Sequence, residues 1–279
     1  MSTFVTHTQT PISQPDAKDQ ALLSAVVEAV RGAGARLLEV FSPDARPADR
    51  AQMFAAGRRI QTVSQGFLQD ALAAARPGVR WVGEDQGTVL LPPGEWWVVD
   101  DVEGAVNHVH GTEQWAVTVA LVRDNTPVLA AVHQPVGDLT YTAIRGAGAY
   151  LNGRRLHTSP KTDLGDAIVI TGQTEIGDDK EILRRIGISV TAMLERTLMV
   201  QMSVPSTFPL LQVATGHADA FWQYAPVLPG VAAGALLAAE AGGVISDLRG
   251  QPWRPGSPDI LVAAPGVHAA ALDVLSGVS

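Results

Sequence analysis

The stretch Trp96-Trp97-Val98-Val99-Asp100-Asp101-Val102-Glu103-Gly104-Ala105-Val106-Asn107-His108-Val109-His110 decides the reading of this chain. An apolar run passes directly into three carboxylates and a glycine, a way of building a hard-metal or phosphate site at the C-terminal end of a strand. Gly104, Ala105 and Val106 are expected to open a helix, so that their amides and the helix dipole offer a positive field to a phosphate, sulfate or carboxylate. His108 and His110 form His-x-His, which can supply two metal ligands or a single acid/base.

Two other segments fall into line with it. Gly83-Glu84-Asp85 follows a strand expected over 79–82, and Val231-Ala232-Ala233-Gly234-Ala235-Leu236-Leu237 precedes Glu240-Ala241-Gly242-Gly243. In this order the three resemble the inositol monophosphatase family of the Mg-dependent sugar-phosphatase superfamily. That family writes Gly-Glu-Glu, then Trp-apolar-apolar-Asp-Pro-Ile-Asp-Gly-Thr-Thr-Asn-Phe-Val-His, then Trp-Asp-Val-Ala-Ala-Gly and Glu-Ala-Gly-Gly. Val213-Ala214-Thr215-Gly216-His217-Ala218-Asp219-Ala220-Phe221-Trp222 and the Asn152-Gly153 hairpin with Leu156 are similar to further family segments. The resemblance spans roughly residues 16 to 270. It implies an α+β fold, the layered α-β-α-β-α sandwich of the inositol monophosphatase and fructose-1,6-bisphosphatase type, and a homodimer.

The resemblance also implies chemistry. In such phosphatases carboxylates gather Mg ions that neutralise the phosphate, lower the pKa of a bound water and stabilise the leaving oxygen. Glu84 and Asp100 match two ligands of the family's first metal, and Val102 matches the position that gives a backbone carbonyl. Glu103 stands where the family has its second Asp, one methylene longer. Glu84, Asp100 and Glu103 are therefore the candidate catalytic carboxylates, with His108 as a candidate acid/base in place of a family Phe. His110 falls on a position where the family carries a structural His.

Departures are concentrated at the functional positions. Ungapped counting from Asp219 puts the family's Trp-Asp on Pro229-Gly230, so Gly230 replaces a metal-binding carboxylate. Ala105 replaces the water-activating Thr, and the Asp that supports that Thr falls on Gln61. Gln223 replaces a substrate-contacting Glu, a change from pure acceptor to donor plus acceptor. Asp101 replaces a Pro and is expected as a solvated turn residue. The expectation is one Mg site at most, held by Glu84, Asp100, Val102 and Glu103, and an anion pocket at Gly104, Ala105, Val106 and Gln223.

The function expected is a family protein with a degenerate metal site that binds a small anionic or polyol-phosphate ligand and hydrolyses little. Two alternatives stay open. One is a working Mg-dependent phosphomonoesterase with rearranged ligands, and the other is a protein-interaction homologue.

Composition narrows the field further. A net charge of −8 argues against a general nucleic-acid or anionic-membrane binder. The absence of cysteine excludes disulfides and thiolate ligands. The first residues lack a basic segment followed by an apolar one, and no apolar run reaches transmembrane length, so a cytoplasmic protein is expected.

Residues 1 to 15 are expected as a loose arm and 16–279 as one unit, with halves of roughly 16–160 and 161–279. Helices are expected from Asp16 to about Val40, over Ile60 to Ala75, around Asp179 to Ile186, over Ser206 to Gly216 and Val231 to Ala241, and from Val267. Strands are expected at 79–82, 96–99, 116–123, 127–133, 139–145, 167–171, 197–202, 243–247 and 259–263. Trp81, Trp96, Trp97 and Trp222 are assigned to core packing rather than to a carbohydrate platform.

Overall fold

Leu22, Val26, Ala29, Val30, Ala33 and Leu37 recur at helical spacing and are all buried, which fixes helix α1 (Ala17–Glu39) against a sheet. The computed structural model describes residues 17–82, 90–173 and 179–278, so the arm at 1–15 and the Gly83-Glu84-Asp85 segment lie outside the described residues. Helix α2 (Arg50–Ala75) starts well before the expected Ile60. Its start is set by a cap: the Asp49 carboxylate accepts the Gln52 N–H at 2.8 Å. The first turns bury little, so they carry no apolar stripe to read.

The first sheet follows chain order. Its strands are β1 (Arg80–Trp81), β2 (Glu95–Glu103), β3 (Ala116–Arg123), β4 (Thr126–Gln134), β5 (Leu139–Ile144), β6 (Gly148–Leu151) and β7 (Arg154–Arg155). All neighbours are antiparallel except β1 and β2, which run parallel. Asp124-Asn125 and Asn152-Gly153 close two hairpins with both central residues at positive φ, as the twist of the strands demands.

The second sheet is crossed. Its strands β8 (Ile168–Thr171), β9 (Met199–Met202), β10 (Ala220–Tyr224), β11 (Val244–Ser246) and β12 (Asp259–Ala263) lie in the order β11-β12-β10-β8-β9. Strand β10 was not expected as an element of its own. It is buried along its whole length, and a strand covered on both faces shows no alternation.

Five layers result. Helices α1 and α2 cover one face of the first sheet, and helices α5 (Thr207–Ala214) and α6 (Leu228–Glu240) fill the space between the sheets. Helices α4 (Lys180–Leu194) and α7 (Pro265–Ser276) cover the outer face of the second sheet. Helix α4 runs eight residues past the expected Ile186, and Met193 in its last turn is fully buried. Trp96, Trp97 and Trp222 are buried as expected, and Trp115 joins them. No described helix is long and apolar enough to cross a membrane.

One feature of β2 matters for the site. The strand continues through Glu103, so the carboxylates belong to it, and its pairing with β3 shifts register between Asp100 and Glu103. A bulge there re-aims the side chains at the strand end.

Candidate active site

The end of β2 meets the starts of α5 and α6 and the end of β10. Together they enclose a cleft of about 230 Å³ lined by Asp100, Glu103, Gln173, Ser206, Gln223 and Gly230. Four of these positions, Asp100, Glu103, Gln223 and Gly230, come from the sequence argument. Glu84 lies outside the described residues.

Asp100 is half-buried and accepts the Val102 N–H on Oδ1 at 3.0 Å, which ties its carboxylate to the bulge. Asp101, expected as a solvated turn residue, is instead buried within the strand, and its Oδ2 accepts the Ser64 hydroxyl of α2 at 3.0 Å. A turn residue facing water would show neither feature.

Glu103 explains Gly230. The carboxylate is only 4% exposed, and its Oε1 accepts the Thr207 N–H, the first of α5, at 3.2 Å. A negative charge there meets an otherwise unpaired amide and the positive end of a helix. A Cβ built on Gly230 would stand 3.6 and 3.7 Å from the two Glu103 oxygens. The Thr207 hydroxyl donates to the Gly230 carbonyl at 3.0 Å, which closes the contact between the two helix starts. A second carboxylate at 230 would put like charges against each other without a cation.

Among the described residues no group of three or more His, Asp or Glu side chains converges as metal ligands do. Mg needs near-octahedral oxygen coordination; position 230, which the resemblance assigns to a metal ligand, has no side chain, and the neighbouring Glu103 accepts from a backbone amide.

Gly104 sits at φ 85°, and a Cβ there would come within 2.6 Å of the Gln114 carbonyl and 3.0 Å of Pro205, so only glycine suits the turn. It opens helix α3 (Ala105–Val109), a single turn. The Ala105 and Val106 side chains do not line the Asp100 cleft. They line a separate hollow with Arg58 and Gln61 of α2. The two positions where the resemblance expects Thr and Asp are thus neighbours in space, with neither group present.

His108 is removed from the acid/base candidates by its surroundings. It is 2% exposed, stacks edge-on against Phe41 and Trp115, and its Nε2–H donates to the Leu37 carbonyl at 3.1 Å. Burial pushes its pKa below the ordinary imidazole value against the opposing effect of that hydrogen bond, so it is neutral at pH 7. His110 is likewise held locally, by the Val106 carbonyl at 2.7 Å.

Gln223 is 4% exposed, and its amide nitrogen reaches the Gln173 carbonyl at 3.4 Å. Its Oε1 is buried with no partner among the described residues. An unmet acceptor in a cleft wall is a place for a ligand donor. Sequence reasoning missed Gln173 and Ser206. Ser206-Thr207 ahead of an apolar run was a legible helix start, whereas nothing local marks Gln173. Asp219, inside a quoted family segment, is structural: its Oδ2 accepts from Lys161 at 2.9 Å and from the Ile168 N–H at 2.7 Å.

The model of the inositol monophosphatase family matches residues 18–276. An inositol-1-monophosphatase of Rhizobium meliloti is 32% identical over 247 residues, covering 85% of this chain and 90% of that protein. The Nus factor SuhB of Pseudomonas aeruginosa is 32% identical over 195 residues, covering 68% of this chain and 72% of its own length. Among solved structures, Mycobacterium tuberculosis SuhB superposes with TM-score 0.76 at 25% identity, over 95% of this chain and 99% of that one. The inositol monophosphatase of Anabaena superposes with TM-score 0.79 at 20% identity, over 93% and 97% of the two chains.

Proposed function

The chain belongs to the inositol monophosphatase family, and from that premise we propose that it is a member whose cleft binds a small anionic or polyol-type ligand while hydrolysing little. The observation that carries this reading is the exchange at Glu103 and Gly230, where a carboxylate anchors the start of α5 and the opposing ligand position is bare. Ala105 and Gln61 in one hollow add a second loss, the hydroxyl and its supporting carboxylate. Each is a group of a kind typically worth about 10²-fold or more in rate.

What remains suits binding. Asp100 and the Val102 carbonyl, with Glu84, would be the oxygen donors for one Mg at most, which would supply positive charge to a bound phosphate. The Gln223 Oε1, buried in the cleft wall with no partner among the described residues, accepts from a ligand hydroxyl.

The test uses the purified full chain with Mg. Thermal unfolding is expected to rise with myo-inositol 1-phosphate, the rise is expected to be lost in Gln223→Ala, and phosphate release is expected to stay near background. Turnover of about 1 s⁻¹ or faster, in the range of ordinary enzymes, would overturn the reading.

A second reading, a protein-interaction homologue, is favoured by the name Nus factor carried by the Pseudomonas relative. Complementation of a deletion in the native host separates the two. The ligand reading expects the Asp100→Asn, Gln223→Ala chain to fail, and the interaction reading expects it to succeed.

A further inference from the structure

Helix α6 touches two hollows. Its first turn, at Gly230, lines the cleft described above, and Leu236, nearer its other end, lines a groove of about 360 Å³. The groove lies between the β3–β4 and β5–β6 turns on one side and β11 with the loop after it on the other.

Its lining is unusual for a chain of net charge −8. Arg145 and Arg254 contribute two guanidinium groups, Trp253 an indole, Leu236 and Ile245 apolar surface, and no carboxylate lines it. Neither arginine is in an ion pair among the described residues. Glu240, at the same end of α6, has its two oxygens committed to the Gly146 and Gly148 amides, at 2.8 Å each. That clamp fixes the turn that carries Arg145. The Arg145 Nε donates to the Pro127 carbonyl at 2.9 Å, which orients the guanidinium and leaves its two amino groups for another acceptor.

A further donor is unmet. The Trp253 Nε1–H is buried with no acceptor among the described residues. A buried donor without a partner is costly, and an incoming acceptor recovers that cost. The side-chain amide of Asn125 offers no competing contact, because its oxygen and nitrogen are both used on the Leu91 backbone at 2.7 Å.

We propose that this groove is a second binding site, separate from the cleft, for a small organic anion with a flat apolar body, such as an aryl phosphate, phosphonate or carboxylate. Guanidinium forks match the paired oxygens of such a group. The indole and the aliphatic side chains take the apolar part. A neutral polyol lacks the charge that the two arginines require, and inorganic phosphate lacks the apolar part.

Calorimetric titration of the full chain with phenylphosphonate, a non-hydrolysable probe, tests this. Binding is expected, weaker by about tenfold or more in the Arg145→Ala, Arg254→Ala double variant. Trp253→Phe, which keeps the ring and loses the N–H, is expected to weaken it several-fold. Methylphosphonate and benzyl alcohol are each expected to bind more weakly than phenylphosphonate. If the alanine pair fails to fold, Arg145→Gln with Arg254→Gln takes its place. Equal affinity in the folded arginine variant, or no measurable heat with the parent chain, would overturn the proposal.

Discussion

Replacing Glu103 by Asp, Gly230 by Asp and Ala105 by Thr together is expected to raise Mg-dependent phosphate release from myo-inositol 1-phosphate by about 10²-fold or more over the parent chain. The physical reason lies at the contact between β2, α5 and α6. Glu103 now lends its charge to the first amide of α5, and position 230 leaves room beside it. Shortening Glu103 by one methylene withdraws it from Thr207. Adding a carboxylate at 230, whose Cβ starts 3.6 Å from where the present oxygens sit, creates a pair of negative groups that needs a cation between them. The Thr at 105 restores a hydroxyl beside Gln61. Phosphate release, measured with and without Mg, reads the gain. The Gly230→Asp single variant is expected to lose thermal stability in the absence of Mg and regain it when Mg is added. A triple variant that folds, and whose rate stays at that of the parent chain, would show that the missing groups are not what limits the chemistry.

Gly234→Val is expected to destabilise the chain by about 3 kcal/mol or more, a large share of the roughly 5–15 kcal/mol that holds an ordinary domain folded. A Cβ at 234 would sit 2.6 Å from the Leu210 Cβ and 2.7 Å from its Cδ1, so the glycine is what lets α6 lie against α5 between the sheets. The backbone of a helix cannot shift there, because both helices are buried on every side. Chemical denaturation of a soluble sample, or the yield of folded protein, measures the effect. Loss of less than about 0.5 kcal/mol, the scale of a surface change, would mean that the two helices can move apart freely.

That glycine shows how the fold was legible. The Val-Ala-Ala-Gly segment carries its packing rule in sequence, as do the two Asn-containing turns and the stripe of α1. Elements that were missed lack such marks. Helix α2 begins with half-exposed turns set by the Asp49 cap, α4 ends beyond its readable stripe, and β10 is buried on both faces and shows no alternation. The candidate site was legible as a set of positions and less so as interactions. Asp100, Glu103, Gln223 and Gly230 line one cleft. That Glu103 caps α5, that Asp101 turns inward to Ser64 and that His108 is a packing residue depend on partners 104, 37 and 71 residues away in the chain. No local pattern encodes contacts of that span.

The proposed loss of the second metal turns on Glu103, which anchors the start of α5, and on Gly230, which has no side chain. Counting Mn²⁺ bound per chain at saturating concentration, by titration followed by electron paramagnetic resonance of the unbound ion, tests it most directly. The expected result is at most one ion per chain, lost in Asp100→Asn and unaffected in Glu103→Gln. Two ions per chain, with one of them lost in Glu103→Gln, would contradict it.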